Sequence, residues 1–167
     1  ELEQKVYAGL LADDAGTIAG IVDGARAAIA AVDLATVPVI AELSRLHLQE
    51  GLPRWIYRGA LELVERLDAT QLAALRTLLS DIDAVPEAES VTAIAGHGAK
   101  EWSAFPTEAP EKHRPLTPSP NAVRLFSALK RAELAHNSGG FGIAGSPNAV
   151  VIDRAVVGWL LRALRDD

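Results

Sequence analysis

The sequence predicts an all-α protein, an irregular helical bundle of about six to eight helices. Two observations support this prediction. Apolar residues recur at three- and four-residue spacing along most of the 167-residue chain, and no segment alternates convincingly between apolar and polar residues. A chain of this length buries roughly 70% of its unfolded surface, so it needs neither a disulfide nor a metal to fold. We therefore expect one helical domain, or one domain with an appendage.

Residues 1–95 are predicted to form the helical body. We expect its first three helices over 1–12, over 17–32 and from Pro38 to residue 50. Proline suits a first helical turn because no backbone N–H is needed there, and Gly51 suits the position just after a helix end. These signals place both ends of the third helix.

An αα-hairpin is predicted to follow. One helix starts near Pro53, and the next starts after Asp68, which begins the sequence Asp-Ala-Thr-Gln. An N-cap acceptor with Gln71 three residues later resembles a capping box, in which each side chain bonds the other residue's backbone N–H. A further helix is expected over about 86–94.

Residues 96–118 are predicted to be a proline-rich connector or surface loop. Five prolines fall between residues 106 and 120. Proline at this density blocks helix propagation and favours an extended chain. We place the main boundary of the chain here, with a C-terminal helical pair over 119–167 that packs on the body or on a partner.

The pentapeptide SPNAV occurs twice, at 119–123 and at 146–150. Serine is a preferred N-cap and proline is preferred at the first helical position, so each copy predicts a helix start. A duplicated helical unit is the alternative interpretation. The last predicted helix, from residue 147 onward, is apolar around most of its circumference and carries Trp159, which predicts that it is buried or covered by a partner.

Composition narrows the classes of function. The chain has no cysteine and four scattered histidines, so we expect no thiol chemistry, no metal site and no cofactor, and the composition fits a cytoplasmic protein. Residues 1–97 carry 7 basic and 15 acidic side chains, net −8, whereas 98–167 carry 9 and 7, net +2. An acidic body argues against sequence-specific nucleic-acid binding. Twelve arginines against four lysines, with abundant alanine, give a bacterial-like composition.

No segment offers the ~20 predominantly apolar residues of a membrane span. The chain starts at Glu1 and contains no methionine, so we expect it to be a fragment of a longer product. The segment from Gly140 to Gly145 matches GxGxxG, but a helix is predicted before it where a dinucleotide site needs a strand. This match therefore predicts an interhelix loop.

Glycines recur every four residues on the second predicted helix, at Gly16, Gly20 and Gly24. Residues four apart share a helical face, so another backbone can approach this face closely. Tight packing within the bundle is one interpretation, and an oligomer interface is the other. Trp159 is the remaining interface candidate.

Two segments suggest a ligand site. Arg54, Tyr57 and Arg58 fall within the sequence PRWIYR, where arginines beside aromatic rings suit an anionic or planar ligand. His97 and Trp102 lie in the predicted 96–105 loop, which would line a pocket against the bundle helices.

We therefore predict a non-catalytic helical interaction, oligomerisation or regulatory module with a protein partner or a second copy of itself. The alternative is a small-molecule-binding protein or enzyme whose pocket lies between the bundle helices and the 96–105 loop.

Overall fold

The computed structural model describes residues 15–86, 88–97, 100–107, 119–137 and 148–165. These residues form six α-helices, one short 3-10 helix and a three-stranded antiparallel sheet. The prediction of an all-α fold is therefore wrong. In chain order the elements are α1 (Ala15–Ala30), the 3-10 helix (Leu34–Thr36), α2 (Val37–Glu50), α3 (Arg54–Val64), α4 (Ala69–Asp83), β1 (Ser90–His97), β2 (Lys100–Pro106), α5 (Pro120–Arg131), β3 (Ala149–Asp153) and α6 (Arg154–Ala163).

The chain divides into two compact units. The first unit comprises residues 1–72 and 163–167, and the second comprises residues 73–162. The predicted boundary between 95 and 96 instead falls inside β1, and residues 100–106 form β2 rather than a connector. Residues 108–118 of the predicted connector, and the predicted helix over 1–12, lie outside the described residues.

The described residues of the first unit form helices and turns. Helix α2 has Pro38 in its first turn and ends at Gly51, whose φ of 78° is left-handed and whose N–H bonds the Leu46 carbonyl. Helix α1 packs on α2 and α3, and α2 packs on α3. Apolar residues of α2 and α3 are buried together: Val39, Ile40, Leu43, Leu46, Ile56, Ala60, Leu63 and Val64.

Two carboxylates organise the turns of this unit. The predicted capping box is confirmed, since the N–H of Gln71 donates to Asp68 at 2.8 Å and the N–H of Asp68 donates to Gln71 at 3.1 Å. Asp33 accepts from the N–H groups of Ala35 and Ala69, both at 2.9 Å, so one side chain caps the 3-10 helix and the start of α4. These two bonds lower the pKa of the Asp33 carboxyl.

The second unit contains the sheet, whose strand order is β2-β1-β3. Ala93 of β1 lies opposite Ala104 of β2 on one side and opposite Val150 of β3 on the other. Helix α5 contacts all three strands. Every residue from Val91 to Gly96 is buried, so both faces of β1 are covered.

Arg154, the first residue of α6, links the α6 start to the segment between α4 and β1. Its guanidinium donates to the carbonyls of Ala88 at 2.7 Å, of Asp83 at 3.2 Å and of Val85. Its backbone N–H donates to the Glu89 carbonyl at 2.9 Å. One side chain thus bonds three carbonyls, that of the last residue of α4 and two in the segment between α4 and β1.

The helix predicted over 86–94 and the loop predicted over 96–105 are a β-hairpin. Apolar–polar alternation marks a strand only when one face meets solvent. Because β1 is buried on both faces, its sequence SVTAIAGH shows no alternation. The prediction of a helix over 86–94 failed for that reason.

The two SPNAV copies have different structures. In the first, the Ser119 hydroxyl accepts from the Ala122 N–H at 3.4 Å and Pro120 begins α5, as predicted. In the second, Ala149 and Val150 begin β3, and the carbonyl of Asn148 accepts from Ala95 of β1 at 2.7 Å. The apolar circumference assigned to one long helix therefore comes from a strand and a shorter helix, α6.

Candidate functional site

A buried tyrosine connects α1, α2 and α3 in the first unit. The Tyr57 hydroxyl donates to the Gly20 carbonyl at 2.7 Å and lies 3.1 Å from the Ser44 hydroxyl, which also bonds the Ile40 carbonyl at 2.9 Å. Burial raises the pKa of Tyr57, and the negative charge of Asp23 adds to the rise. Tyr57 therefore holds three helices together as a neutral phenol.

His47 stacks against this tyrosine. The ring centroids of His47 and Tyr57 lie 4.3 Å apart with planes inclined by 11°. The Nδ1 atom of His47 lies 2.8 Å from the Leu52 carbonyl. Since a carbonyl only accepts, Nδ1 carries a proton, and the other ring nitrogen lies towards Gly20.

The predicted glycine face lies against these polar groups. A methyl group at Gly20 would lie 3.0 Å from the His47 ring, and one at Gly24 would lie 2.4 Å from the Ser44 hydroxyl oxygen. These contacts match tight packing within the chain, one of the two interpretations above. Gly16 is exposed near the start of α1, and an assembly role for it stays a prediction.

The predicted ligand residues of PRWIYR point in different directions. Tyr57 is 1% exposed, whereas Arg54 and Arg58 are exposed, with Trp55 exposed between them. Arg58 lies 3.9 Å from the Asp23 carboxylate. The structure therefore brings the two arginines together on an outer face of α3 and places Tyr57 away from them.

The other two predicted ligand residues belong to the second unit. His97 ends β1 and lies opposite Lys100 of β2 in the hairpin register. Trp102 is buried, and its indole N–H donates to the Asp81 carboxylate of α4 at 2.8 Å. Its polar atom is thus used in packing β2 on α4. The small-molecule pocket stays a prediction. Its candidate residues are divided between the two units.

Trp159, the last interface candidate, is half-buried on α6. The Arg162 guanidinium lies 4.7 Å from the centre of its ring, a cation–π contact within one turn of the helix. An interface role for Trp159 stays a prediction.

Sequence reasoning missed the exposed apolar surface of the first unit. Five large apolar side chains are strongly exposed among the described residues, and four of them lie in or just after α1: Val22, Ile29, Val32 and Leu34. Ile29 is 88% exposed. The signal was present as a second apolar spacing, Ile18, Val22, Ala25, Ile29 and Val32, on the helix whose glycine spacing was noticed.

We call Ile18, Val22, Ala25, Ile29 and Val32 the α1 stripe. At about 100° per residue, the four that lie in α1 fall within an arc of about 60°. The buried residues of the helix, Gly20, Gly24 and Ala27, lie on the opposite side. Helix α1 is thus apolar on the side that faces its own chain and also on the side that faces away.

Three further findings concern ligands and relatives. Among the described residues, no group of three or more His, Cys, Asp or Glu side chains is placed to hold a metal ion. No helix in the described ranges is long and apolar enough to cross a membrane. Comparisons of the chain with protein-family models, with curated proteins and with solved structures found no match.

Proposed function

We propose that the protein is a non-catalytic interaction module that binds a protein partner through the α1 stripe. The observation that supports this proposal is the exposure of Val22 (58%) and Ile29 (88%) on one side of α1, and of Val32 (73%) just after the end of that helix. A helix that covers a core on one side normally presents charged residues on the other. Helix α1 presents branched aliphatic side chains there instead.

The scarcity of charge strengthens the proposal. The exposed positions between residues 15 and 32 are Ala15, Gly16, Val22, Ala25, Arg26, Ile29, Ala30 and Val32. Arg26 alone among them is charged, and it lies at the edge of the stripe. Depletion of charge is the compositional mark of an interface core.

The exposed apolar area has the size of a functional patch. Val22, Ile29, Val32 and Leu34 together expose on the order of 500 Å², and apolar patches of several hundred Å² on a monomer are commonly binding sites. Covering this area is worth about 10 kcal/mol before the cost of association is subtracted. This gain is of the same size as the cost of association, about 4–15 kcal/mol, so we expect binding through this area to be weak to moderate.

The inward packing of α1 explains how the surface stays presented. Gly20 and Gly24 let α1 lie close to α2 and α3, and the Tyr57 hydroxyl bonds its backbone. A helix held on one side by close backbone contact keeps its outer side chains in a fixed arrangement. A fixed arrangement lowers the entropy cost of binding.

The proposal is tested by placing a photo-crosslinking amino acid at Ile29 in the full chain and irradiating cells that produce it. A matched variant carries the same residue at Ala41, an exposed position on α2 of the same unit. We expect a covalent protein adduct from position 29 and none from position 41. Equal labelling at both positions, or none at either, would refute the proposal. A cytoplasmic location stays a prediction from the composition.

A further inference from the structure

We infer that the partner of the α1 stripe is a second copy of this chain, bound with the two α1 helices antiparallel about a two-fold axis. This inference rests on the proposed function and names its partner. A two-fold interface must be complementary to itself, because the same patch contributes both halves. Three properties of the stripe meet that requirement.

The first property is spacing. Ile18, Val22, Ala25 and Ile29 of α1 follow each other at intervals of four, three and four, the spacing with which two helices pack side by side. Antiparallel pairing centred between residues 23 and 24 places Val22 of one copy opposite Ala25 of the other. It also places Ile18 opposite Ile29.

In this register a large residue meets a small one next to the axis, where Val22 faces Ala25. Ile18 and Ile29 face each other further out. Alternation of large and small side chains across facing positions lets layers interdigitate without voids. The stripe therefore fits its own copy in one register.

The second property is charge. A charged patch repels its own copy, and the α1 stripe itself carries no charged residue. Arg26, at the edge, falls opposite Ile21 of the other copy, and the two Arg26 side chains are separated by about five residues of helix, ~7 Å along the axis. Pairing of identical surfaces thus meets no direct like-charge contact.

The third property is area. Standard interfaces bury roughly 800 Å² per partner. The large exposed side chains of the stripe and Leu34 supply on the order of 500 Å², and the exposed alanines at 15, 25 and 30 add to it. The area approaches that of a weak to moderate dimer, so we expect dissociation on dilution.

The first experiment is light scattering on the full chain from micromolar to millimolar concentration. We expect the mass to rise to that of a dimer. Ile29→Glu, which buries a carboxylate in the pair, should raise the dissociation constant roughly 30-fold or more. Ala41→Glu adds the same charge away from the stripe and should leave dimerisation unchanged. A monomer at every concentration, or a dimer insensitive to Ile29→Glu, would overturn the inference.

The second experiment tests the register. The chain contains no cysteine, so an introduced cysteine is the only thiol that can react. Chains with Ile18→Cys should not cross-link to each other through a short thiol reagent, because the two sites lie ~16 Å apart. A mixture of Ile18→Cys and Ile29→Cys chains should cross-link readily. Cross-linking of Ile18→Cys with itself would indicate parallel helices and overturn the inference.

The two proposals fail separately. A photo-adduct between position 29 and a different protein, with a chain that is monomeric, would keep the proposed function and refute self-association. Binding of the monomer to lipid vesicles in place of any protein would refute both.

Discussion

Substitution of Gly24 by alanine tests whether close packing of α1 holds the first unit together. The added methyl group would lie 2.4 Å from the Ser44 hydroxyl oxygen and 2.9 Å from the Tyr57 hydroxyl oxygen. Real Cβ atoms do not approach so closely, so both hydroxyl groups must move. Their bonds to the Ile40 and Gly20 carbonyls must then lengthen or break.

The magnitude follows from opposing contributions. Alanine is favoured over glycine in a helix interior by about 1 kcal/mol. Overpacking costs about 1–3 kcal/mol, and a buried polar group left unsatisfied costs about 1–3 kcal/mol more. We expect Gly24→Ala to lower the free energy of unfolding by about 2 kcal/mol, measured by urea denaturation.

Gly158→Ala is the matched control. Gly158 also lies within a helix, but a methyl group there would meet no atom within 4 Å. This variant should be more stable than the wild type by up to about 1 kcal/mol. If Gly24→Ala were stabilising to the same degree, the packing argument would be refuted.

A double-mutant cycle identifies the clash. Ser44→Ala removes the atom nearest the new methyl group, so it should cost less stability in the Gly24→Ala background than in the wild type. Equal costs in both backgrounds would show that the Ser44 hydroxyl is not the atom displaced.

Three further predictions concern single polar side chains. Asp33→Ala should destabilise the chain at neutral pH. Because folding lowers the pKa of Asp33, its contribution is full above the unfolded pKa and is lost as pH falls through the folded pKa, so urea midpoints of the two proteins should converge in acid. Arg154→Ala should lower the free energy of unfolding by about 2 kcal/mol in urea denaturation, because three carbonyls lose their donor. Arg154→Lys should recover only part of that loss. Trp102→Phe should cost about 1 kcal/mol, because it removes the indole N–H that bonds Asp81. A double-mutant cycle with Asp81→Ala should show coupling between the two residues, and additive costs would contradict the bond.

The helical half of the chain could be predicted because its signals are local. The capping box at Asp68 and Gln71, the proline in the first turn of α2 and the left-handed glycine after it each act within a few residues. A helix buried on one side also repeats its apolar residues at helical spacing. The sequence therefore placed α2, α3 and α4 without knowledge of their neighbours.

The sheet could not be predicted because its central strand, β1, is buried on both faces. A strand with no solvent face has no reason to alternate, and a short apolar run resembles a segment of buried helix. SPNAV shows the consequence within one chain: the same five residues end in a helix at Val123 and in a strand at Val150. Pairing with β1, a contact distant in sequence, makes that difference.

The candidate site divides in the same way. By itself the sequence determined that one helix carries glycines at four-residue intervals and that PRWIYR combines arginines with aromatic rings. Only the tertiary structure decided that Gly20 and Gly24 face Ser44, His47 and Tyr57, because that depends on which helices lie alongside. With the glycine side turned inward, the aliphatic side of the same helix is left exposed. Packing, rather than periodicity, decides which apolar face of the helix is exposed.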